Sequence, residues 1–388
     1  MTISRRNFLS FLSATSLFSA LPSLLVSGIN QSKYLILVEL MGANDGLNTV
    51  IPYKNKRYYQ LRPKISIPKK RILTITKNSG LHFNLVGLAK LFETGECKII
   101  QNLGYPNPVL SHFRSIELWE QGGDGKSKGK KGWLIDPLNE FALNQNLDAK
   151  AMYLDDSGEL FKGGYEGFLG PNAIGYKPVS SEPRDATIGI PRQKDIGLLN
   201  KLVEVRKSNS ERLEKLQEKF KKGSIDIFSF WGGGNLGIQM GKVCKLIAAG
   251  VNIPVFKVSI GSFDTHSNQY GTHSKLLKEL DISLSETVKI LKSLGVWDDT
   301  IIMTYSEFGR RAKENGSEGT DHGMAAPHFV LGGKIKGGID GENPNLSQLN
   351  KNNLTFSVDY RSLYDYVLNK HFGLSENPFK SYRNSIIS

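Results

Sequence analysis

Tyr34-Leu35-Ile36-Leu37-Val38-Glu39-Leu40 is an apolar run broken by one acid, and it opens into Gly42-Ala43-Asn44-Asp45-Gly46. A strand buried on one face alternates apolar and polar residues, whereas an unalternating run is covered on both faces, as in a parallel sheet flanked by helices. The glycines after Leu40 then mark the carboxyl end of a strand turning into a loop. Two later runs repeat the pattern: Val255–Ile260 is followed by Phe263-Asp264-Thr265-His266, and Thr300–Tyr305 by Ser306-Glu307-Phe308. Residues 98–102 read as a shorter strand, followed by a Pro-bearing turn at 104–108 and a helix from Ser111, and residues 329–333 as a short final strand. Helical spacing of Leu213, Leu216 and Phe220 marks residues 197–222. A second helix spans 240–249 and stops at Gly250, and a long third one runs from about His273 to Leu294. This alternation predicts an α/β fold with a mixed, mostly parallel sheet and helices on both faces. Residues 122–192 are Gly-rich with weak periodicity and read as an insertion or cap over the sheet.

The chain begins with Ser4-Arg5-Arg6-Asn7-Phe8-Leu9, a twin-arginine export motif, and continues into an apolar run over 11–26 interrupted by serines and Pro22. Residues 1–30 therefore read as a targeting segment and 31–388 as one domain carrying the insertion. The run is short for a membrane span, which predicts export in the folded state to the periplasm or cell surface with no stable transmembrane span afterwards. Export permits disulfides, and Cys97 and Cys244 are the only cysteines; they form one bridge or stay as two buried thiols. Lys and Arg number 50 against 37 Asp and Glu, a net charge of +13. The lysines are scattered and their densest run, 126–131, sits in a Gly-rich loop. This argues against nucleic acid and for a solvated surface suited to an anionic envelope or an anionic substrate.

Asp45, Asp264, His266 and Glu307 all lie just past the carboxyl end of an expected strand, where open α/β sheets place their ligand sites. In a parallel sheet they converge, and Asp, Glu and neutral His together form the donor set of a hydrolytic metal centre. Taken singly, Asp45 before Gly46 also fits a turn. His82, His273 and His371 read as packed histidines. Asp155-Asp156 reads as a turn or a calcium-binding pair, and Asp298-Asp299 as a turn. Gly232-Gly233-Gly234 lacks the Lys-Ser/Thr ending of a phosphate-binding loop.

Five blocks stand out in order: Gly42-Ala43-Asn44-Asp45-Gly46-Leu47-Asn48-Thr49, Asn107-Pro108-Val109-Leu110-Ser111-His112-Phe113-Arg114-Ser115, Phe263-Asp264-Thr265-His266-Ser267-Asn268-Gln269, Ser306-Glu307-Phe308-Gly309-Arg310 and Gly319-Thr320-Asp321-His322-Gly323. On these blocks and its leader the chain resembles the exported DUF1501 family, which itself looks like a branch of the alkaline phosphatase and sulfatase superfamily. The resemblance implies an alkaline phosphatase-like fold and one or two divalent ions at the carboxyl edge of the sheet, zinc or manganese first and calcium or magnesium after them. Asp45 would be the first-strand ligand, and Asp264 with His266 would stand for the Asp and His of the second ion. Two mappings are open for the rest. By motif, Asp321-His322 is the superfamily's Asp-His pair and His328 the last ligand; by position, Glu307 replaces the Asp, Phe308 removes a His and His322 is the late ligand. Ser111 would be the nucleophile at a helix start, or a plain N-cap. His112 would be a ligand, a base or a packed residue. Arg114, or else Arg310, would contact the ester anion. The implied function is an exported metal-dependent hydrolase of phosphate or sulfate esters, acting on an anionic small molecule or envelope polymer. The alternative is a non-catalytic envelope protein of the same fold that binds a polysaccharide or a protein partner.

Overall fold

The computed structural model describes residues 32–126, 129, 131–155, 157–174 and 193–383. The leader read over residues 1–30 and the 175–192 part of the Gly-rich segment lie outside these. The strand expected at residues 34–40 is the centre of the fold. Tyr34, Ile36, Val38 and Leu40 face one apolar layer and Leu35 and Leu37 the other, so the run has no polar face because both of its faces are covered.

Nine strands form the main sheet. In chain order they are β1 Tyr34–Leu40, β2 Cys97–Gly104, β3 Ala151–Tyr153, β4 Phe168–Leu169, β5 Val255–Ile260, β6 Thr300–Tyr305, β7 Ala326–Gly332, β8 Gly338–Asp340 and β9 Val358–Asp359. Their spatial order is β8-β2-β7-β6-β1-β5-β3-β4, with β9 also on β2. From β6 to β4 every pairing is parallel. β7 runs antiparallel to both β6 and β2, while β8 and β9 run parallel to β2. The sheet is therefore mixed and mostly parallel, with one reversed strand inside it.

Besides two short helices at Gly46–Thr49 and Lys56–Leu61, the described residues form α1 Val86–Glu93, α2 His112–Gln121, α3 Ile135–Ala142, α4 Gln193–Lys222, α5 Gly234–Ala248, α6 Gln269–Ser293 and α7 Arg361–Tyr366. Leu88 of α1, Met240 of α5 and Leu277 of α6 pack on one face of the sheet, and Leu118 of α2, Leu138 of α3 and Leu363 of α7 on the other. Each such side chain, fully buried, stabilises the fold by about 1.5–3 kcal/mol before chain entropy is charged against it.

Three sequence expectations change. The strand read at 329–333 starts at Ala326, is antiparallel, and is followed by β8 and β9; Pro327 and the buried His328 had masked its beginning. The long helix starts at Gln269, not near His273, because Asn268 in the left-handed region turns the chain into it and Gln269 is itself buried. Part of the Gly-rich segment is edge of the sheet (β3 and β4) rather than cover over it. Asp155 is no calcium ligand pair on its own: its Oδ2 lies 2.7 Å from Lys257 Nζ, which also meets Glu39 at 2.8 Å and Glu120 at 3.3 Å. Asp156 lies outside the described residues. Burial raises both Glu120 and Glu39 above the usual carboxylate range, against the pull of Lys257.

Cys97 and Cys244 are both free and buried. Burial raises both thiols, Cys244 to about 12, so neither presents a thiolate at neutral pH. The native protein should leave an aromatic disulfide reagent unreacted over minutes and release two thiol equivalents once unfolded in denaturant; a reaction of the native chain, or a cross-link detected by mass spectrometry, would contradict this packing.

Candidate metal centre

Four loops meet at the carboxyl edge. After β1 comes the turn through Gly42, after β5 the Asp264 loop, after β6 Ser306-Glu307, and after β2 the turn into α2 with His112 as its first residue. Because β7 is reversed, its amino end lies on that same edge, and the short hairpin pairing Gly309–Arg310 with His322–Gly323 delivers His322 there.

Three imidazoles and one carboxylate point at a common centre. His322 Nε2 lies 3.1 Å from His112 Nε2, 3.0 Å from His266 Nε2 and 3.4 Å from Asp264 Oδ1. Asp264 Oδ1 is 3.0 Å from His266 Nε2, and its Oδ2 is 3.5 Å from His112 Nε2. Two of the rings are held from behind. His112 Nδ1 is 2.6 Å from Glu307 Oε1 and His322 Nδ1 is 3.0 Å from the Leu110 carbonyl, whereas His266 Nδ1 is 3.6 Å from Asp321 Oδ1, beyond hydrogen-bond reach. A carbonyl or carboxylate accepts only, so Nδ1 of His322 and of His112 carries the proton and donates it. In the neutral rings this leaves bare lone pairs on both Nε2 atoms, facing each other at 3.1 Å. Such lone pairs repel unless a cation lies between them. A proton satisfies one pair; a metal ion would satisfy His112, His322 and Asp264 together.

The spacing fits an ion. Bonds of about 2.0–2.1 Å to a tetrahedral centre set the donors about 3.3 Å apart, and the separations among His112, His322 and Asp264 run from 3.1 to 3.5 Å. Among the described residues, His112, Asp264 and His322 form the set that brings ligand atoms within 4.8 Å of one another. His266 stands at the rim of this set, its Nε2 3.0 Å from both Asp264 Oδ1 and His322 Nε2 and 3.4 Å from Arg310 Nη1.

The hydrogen bond to Glu307 raises His112 above its ordinary value, against burial. Burial lowers His322, helped by the charges of Arg310 and His112. Burial alone would raise Asp264, but the hydrogen bond and charge of Arg310 hold its carboxyl below the usual range, so it stays ionised. Phe308, buried, lies with its ring centroid 4.9 Å from that of His112 and 4.8 Å from that of His322, walling both rings off on one side.

The Asp264-Thr265-His266 spacing works because the loop folds back on itself. Thr265 N donates to Phe263 O at 2.8 Å and His266 N to Asp264 O at 3.2 Å, so Thr265 turns inward while its neighbours share the centre. Gly42 lies against this loop, at φ +106°, and a Cβ on it would sit 2.4 Å from Asp264 N. Arg310 locks the assembly: Nε donates to Ala43 O at 2.8 Å, Nη1 to Thr320 O at 2.8 Å, and Nη2 to Phe263 O at 3.2 Å and to Gly42 O and Asp264 Oδ1. Its donors go to loop carbonyls and to the Asp264 carboxylate, with Nη1 also 3.4 Å from His266 Nε2, so Arg310 is a clamp for the site, not a free anion contact.

The expected ligands separate into three groups. Asp264, His266 and His322 share the centre. Glu307 stands one step behind it and orients His112, while Asp321, with its oxygens bonded by Asn315 and Arg311, lies 3.6 Å from the His266 ring; these are the two residues that competed for one role. Asp45 and His328 join neither group. The Asp45 carboxylate is buried, with Oδ2 2.5 Å from Arg62 Nη1 and hydrogen-bonded by Gln269, so it is committed to a cation the chain itself supplies. His328 is enclosed in β7 opposite Ile100, with its ring 5.6 Å from that of Trp119, and burial lowers it to about 3. Ser111 is the N-cap of α2, exposed and making no capping bond, next to His112. Arg114 is paired with Glu117 at 2.6 Å. The donor that sequence reasoning left unassigned is His112; its signal was its place immediately after the turn that ends β2. His82, His273 and His371 are all buried and lowered, to about 3, 4 and 4, as packed neutral rings.

Residues 241–378 match the family described as "Protein of unknown function (DUF1501)". No curated protein matches the chain. Among solved structures, the chain is similar to a protein of the alkaline phosphatase superfamily from Vibrio parahaemolyticus at 12% identity, over 89% of this chain and 73% of that one, with a TM-score of 0.36. A sulfatase from Pseudoalteromonas sp. is similar at 12% identity, over 92% and 71%, with a TM-score of 0.39. The C-terminal periplasmic domain of EcEptC from Escherichia coli, in complex with zinc, is similar at 9% identity, over 78% and 73%, with a TM-score of 0.35. No helix among the described residues is long and apolar enough to cross a membrane.

The Arg62–Asp45 pair yields a pH test. Burial raises Asp45, but the charge and hydrogen bond of Arg62 outweigh it, so the folded pKa is depressed. A depressed carboxyl contributes stability above its unfolded pKa of ~3.9 and loses it as pH falls toward the folded value. Asp45→Asn strands the Arg62 charge and should cost about 3–5 kcal/mol at pH 7 in denaturant unfolding, the gap to the parent narrowing below about pH 4. A gap that is constant with pH would show that the pair does not carry this stability.

Proposed function

We propose that the chain is an exported metal-dependent hydrolase with one divalent ion held by His112, Asp264, His266 and His322. The observation that supports it is the facing of bare Nε2 lone pairs whose Nδ1 partners are fixed from behind, the arrangement that metal-bound histidines require. Three imidazoles and a carboxylate favour zinc, with manganese next; calcium and magnesium prefer oxygen donors. When bound, the ion would supply Lewis-acid polarisation of an ester oxygen and a lowered pKa for an attacking hydroxyl.

The chain's own residues do the rest. Glu307 holds the His112 proton on Nδ1 and so keeps Nε2 turned to the centre. Ser111, beside His112 and free of a capping bond, is the hydroxyl presented at the start of α2, where unpaired helix amides favour a developing negative charge. Phosphate or sulfate esters are the substrate class that the DUF1501 resemblance implies, on an anionic small molecule or an envelope polymer. The twin-arginine motif read at residues 4–9 supports a location in the periplasm or at the cell surface.

The sealed Arg62–Asp45 pair supports a second reading. It removes a first-strand carboxylate from metal binding and leaves one centre, which suits a non-catalytic envelope protein with one structural ion that binds a polysaccharide or a protein partner.

Elemental analysis of the native exported protein should find about one transition metal per chain. His322→Ala should abolish occupancy and hydrolysis of aryl phosphate or sulfate, and Glu307→Gln should weaken metal affinity by about 10–100-fold. A metal-free native protein of full thermal stability would refute the metal centre. Stoichiometric metal with no turnover of either aryl ester would favour the second reading.

A further inference from the structure

Residues 226–231, Asp226-Ile227-Phe228-Ser229-Phe230-Trp231, form a tight turn leading into α5. Asp226 caps it, its Oδ1 accepting from Phe228 N at 2.9 Å, and Trp231 N donates to Phe228 O at 2.9 Å. Phe230 is the anchor, buried in the core against α5 and α6. Its neighbours point out: Phe228 is 82% and Trp231 85% exposed. Ile238, one face further along α5, is exposed as well. Exposed as they are, these three side chains add little to the core, and large aromatics left in water on a turn mark a contact surface.

The position of the turn is fixed. Gln239 in the second turn of α5 exchanges two hydrogen bonds with Ser259 at the end of β5, at 2.9 and 3.0 Å, and Ser283 Oγ of α6 donates to Gly233 O at 3.2 Å. The aromatic turn therefore stands at the carboxyl end of β5, the edge that carries the metal centre. Exposed Met41 follows β1 and exposed Phe113 follows His112 on that edge too.

The surrounding charge is basic. Lys242 follows Ile238 by one helical turn on the same face of α5. Exposed Lys278 precedes by one turn Ile282, whose Cδ1 is 3.1 Å from where a Cβ on Gly232 would lie. Lys275 is exposed nearby, 3.8 Å from Glu279. The acids at this place are Asp226, occupied as a cap, and Glu279. Protruding aromatics framed by lysines, on a chain of net charge +13, complement a surface that is negative outside and apolar just beneath it.

We propose that this aromatic turn and its lysines dock the protein onto an anionic phospholipid bilayer, with Phe228 and Trp231 entering the interface and the carboxyl edge of the sheet facing the lipid headgroups. The proposal is independent of hydrolysis, since it concerns attachment and needs no turnover.

Trp231 supplies its own probe. Of the four tryptophans, Trp119, Trp133 and Trp297 are buried, so exposed-type emission comes from Trp231. The intact protein should sediment with vesicles of phosphatidylcholine and phosphatidylglycerol, weakly with phosphatidylcholine alone, and release in high salt. Its emission should shift to the blue on binding and be quenched by brominated lipid. A Phe228→Ser and Trp231→Ser double variant should keep the parent's thermal stability and lose at least about tenfold in vesicle partitioning. Lys242→Gln and Lys278→Gln should each lose about fivefold on the anionic vesicles alone. Failure to bind the anionic vesicles, as a surface built for a protein partner would show, overturns the proposal. So does binding that leaves Trp231 emission and the double variant unchanged, as attachment through the apolar run at 11–26 would.

Discussion

The buried guanidinium of Arg310 is the interaction on which the candidate centre depends. It joins the loop after β1 through Gly42 and Ala43, the loop after β5 through Phe263 and Asp264, and the hairpin through Thr320. These loops come from distant parts of the chain and have little apolar surface of their own to hold them. Each buried carbonyl left without a donor costs about 1–3 kcal/mol, so one planar cation with several donors can organise them where scattered side chains could not. The same cation faces Asp264 and keeps its carboxyl ionised, so positioning and electrostatics come from one group. The loops also hold Ala43 at φ 68° and Ser262 at φ 75°, each at a cost of order 1–3 kcal/mol that surrounding contacts must offset.

The reversal of β7 settles which late residues reach the edge. In a wholly parallel sheet, residues just before a strand would lie at the amino edge, away from Asp264. Because β7 runs against β6 and β2, the residues before it arrive where the residues after the other strands leave. His322 thus reaches the centre, while His328, inside the strand, is carried into the core. Strand direction decides where the late residues lie: of the motif pair Asp321-His322, His322 faces the cluster and Asp321 lies outside it, while Glu307 stands behind the His112 ring.

Much of the fold was legible because burial on both faces leaves a plain mark on sequence. β1, β5 and β6 have unalternating apolar runs, and the residues at their carboxyl ends could be grouped before their distances were known. The start of β7 was not legible, since Pro327 and His328 interrupt its apolar pattern. Nor was the depth of Asp45, which follows β1 as a ligand would. What turns it away is Arg62, a residue in a segment without strand periodicity, and no local pattern announces a pairing across 17 positions. His112 escaped assignment for a related reason: at the head of a helix, a histidine next to a serine reads as capping context, and only the Glu307 carboxylate behind its Nδ1 gives its ring a direction.

The Arg62–Asp45 pair commits the carboxylate after β1 to a cation within the protein. Arg62 donates to Asp45, to Asn48 Oδ1 at 2.9 Å and to the carbonyls of Arg311 and Ala312 at 2.9 and 2.8 Å, so it is bound on every side within the protein. A divalent ion at Asp45 would have to displace a guanidinium that cannot lose its proton and has no route to water. The loop after β1 is held by a permanent internal cation, whereas the Nε2 atoms and Asp264 face one another on the open side. Under the proposed metal centre, the fixed internal cation would make the loop geometry independent of metal loading. The edge would then keep its shape with or without an ion beside the half-exposed Asp264 and His266.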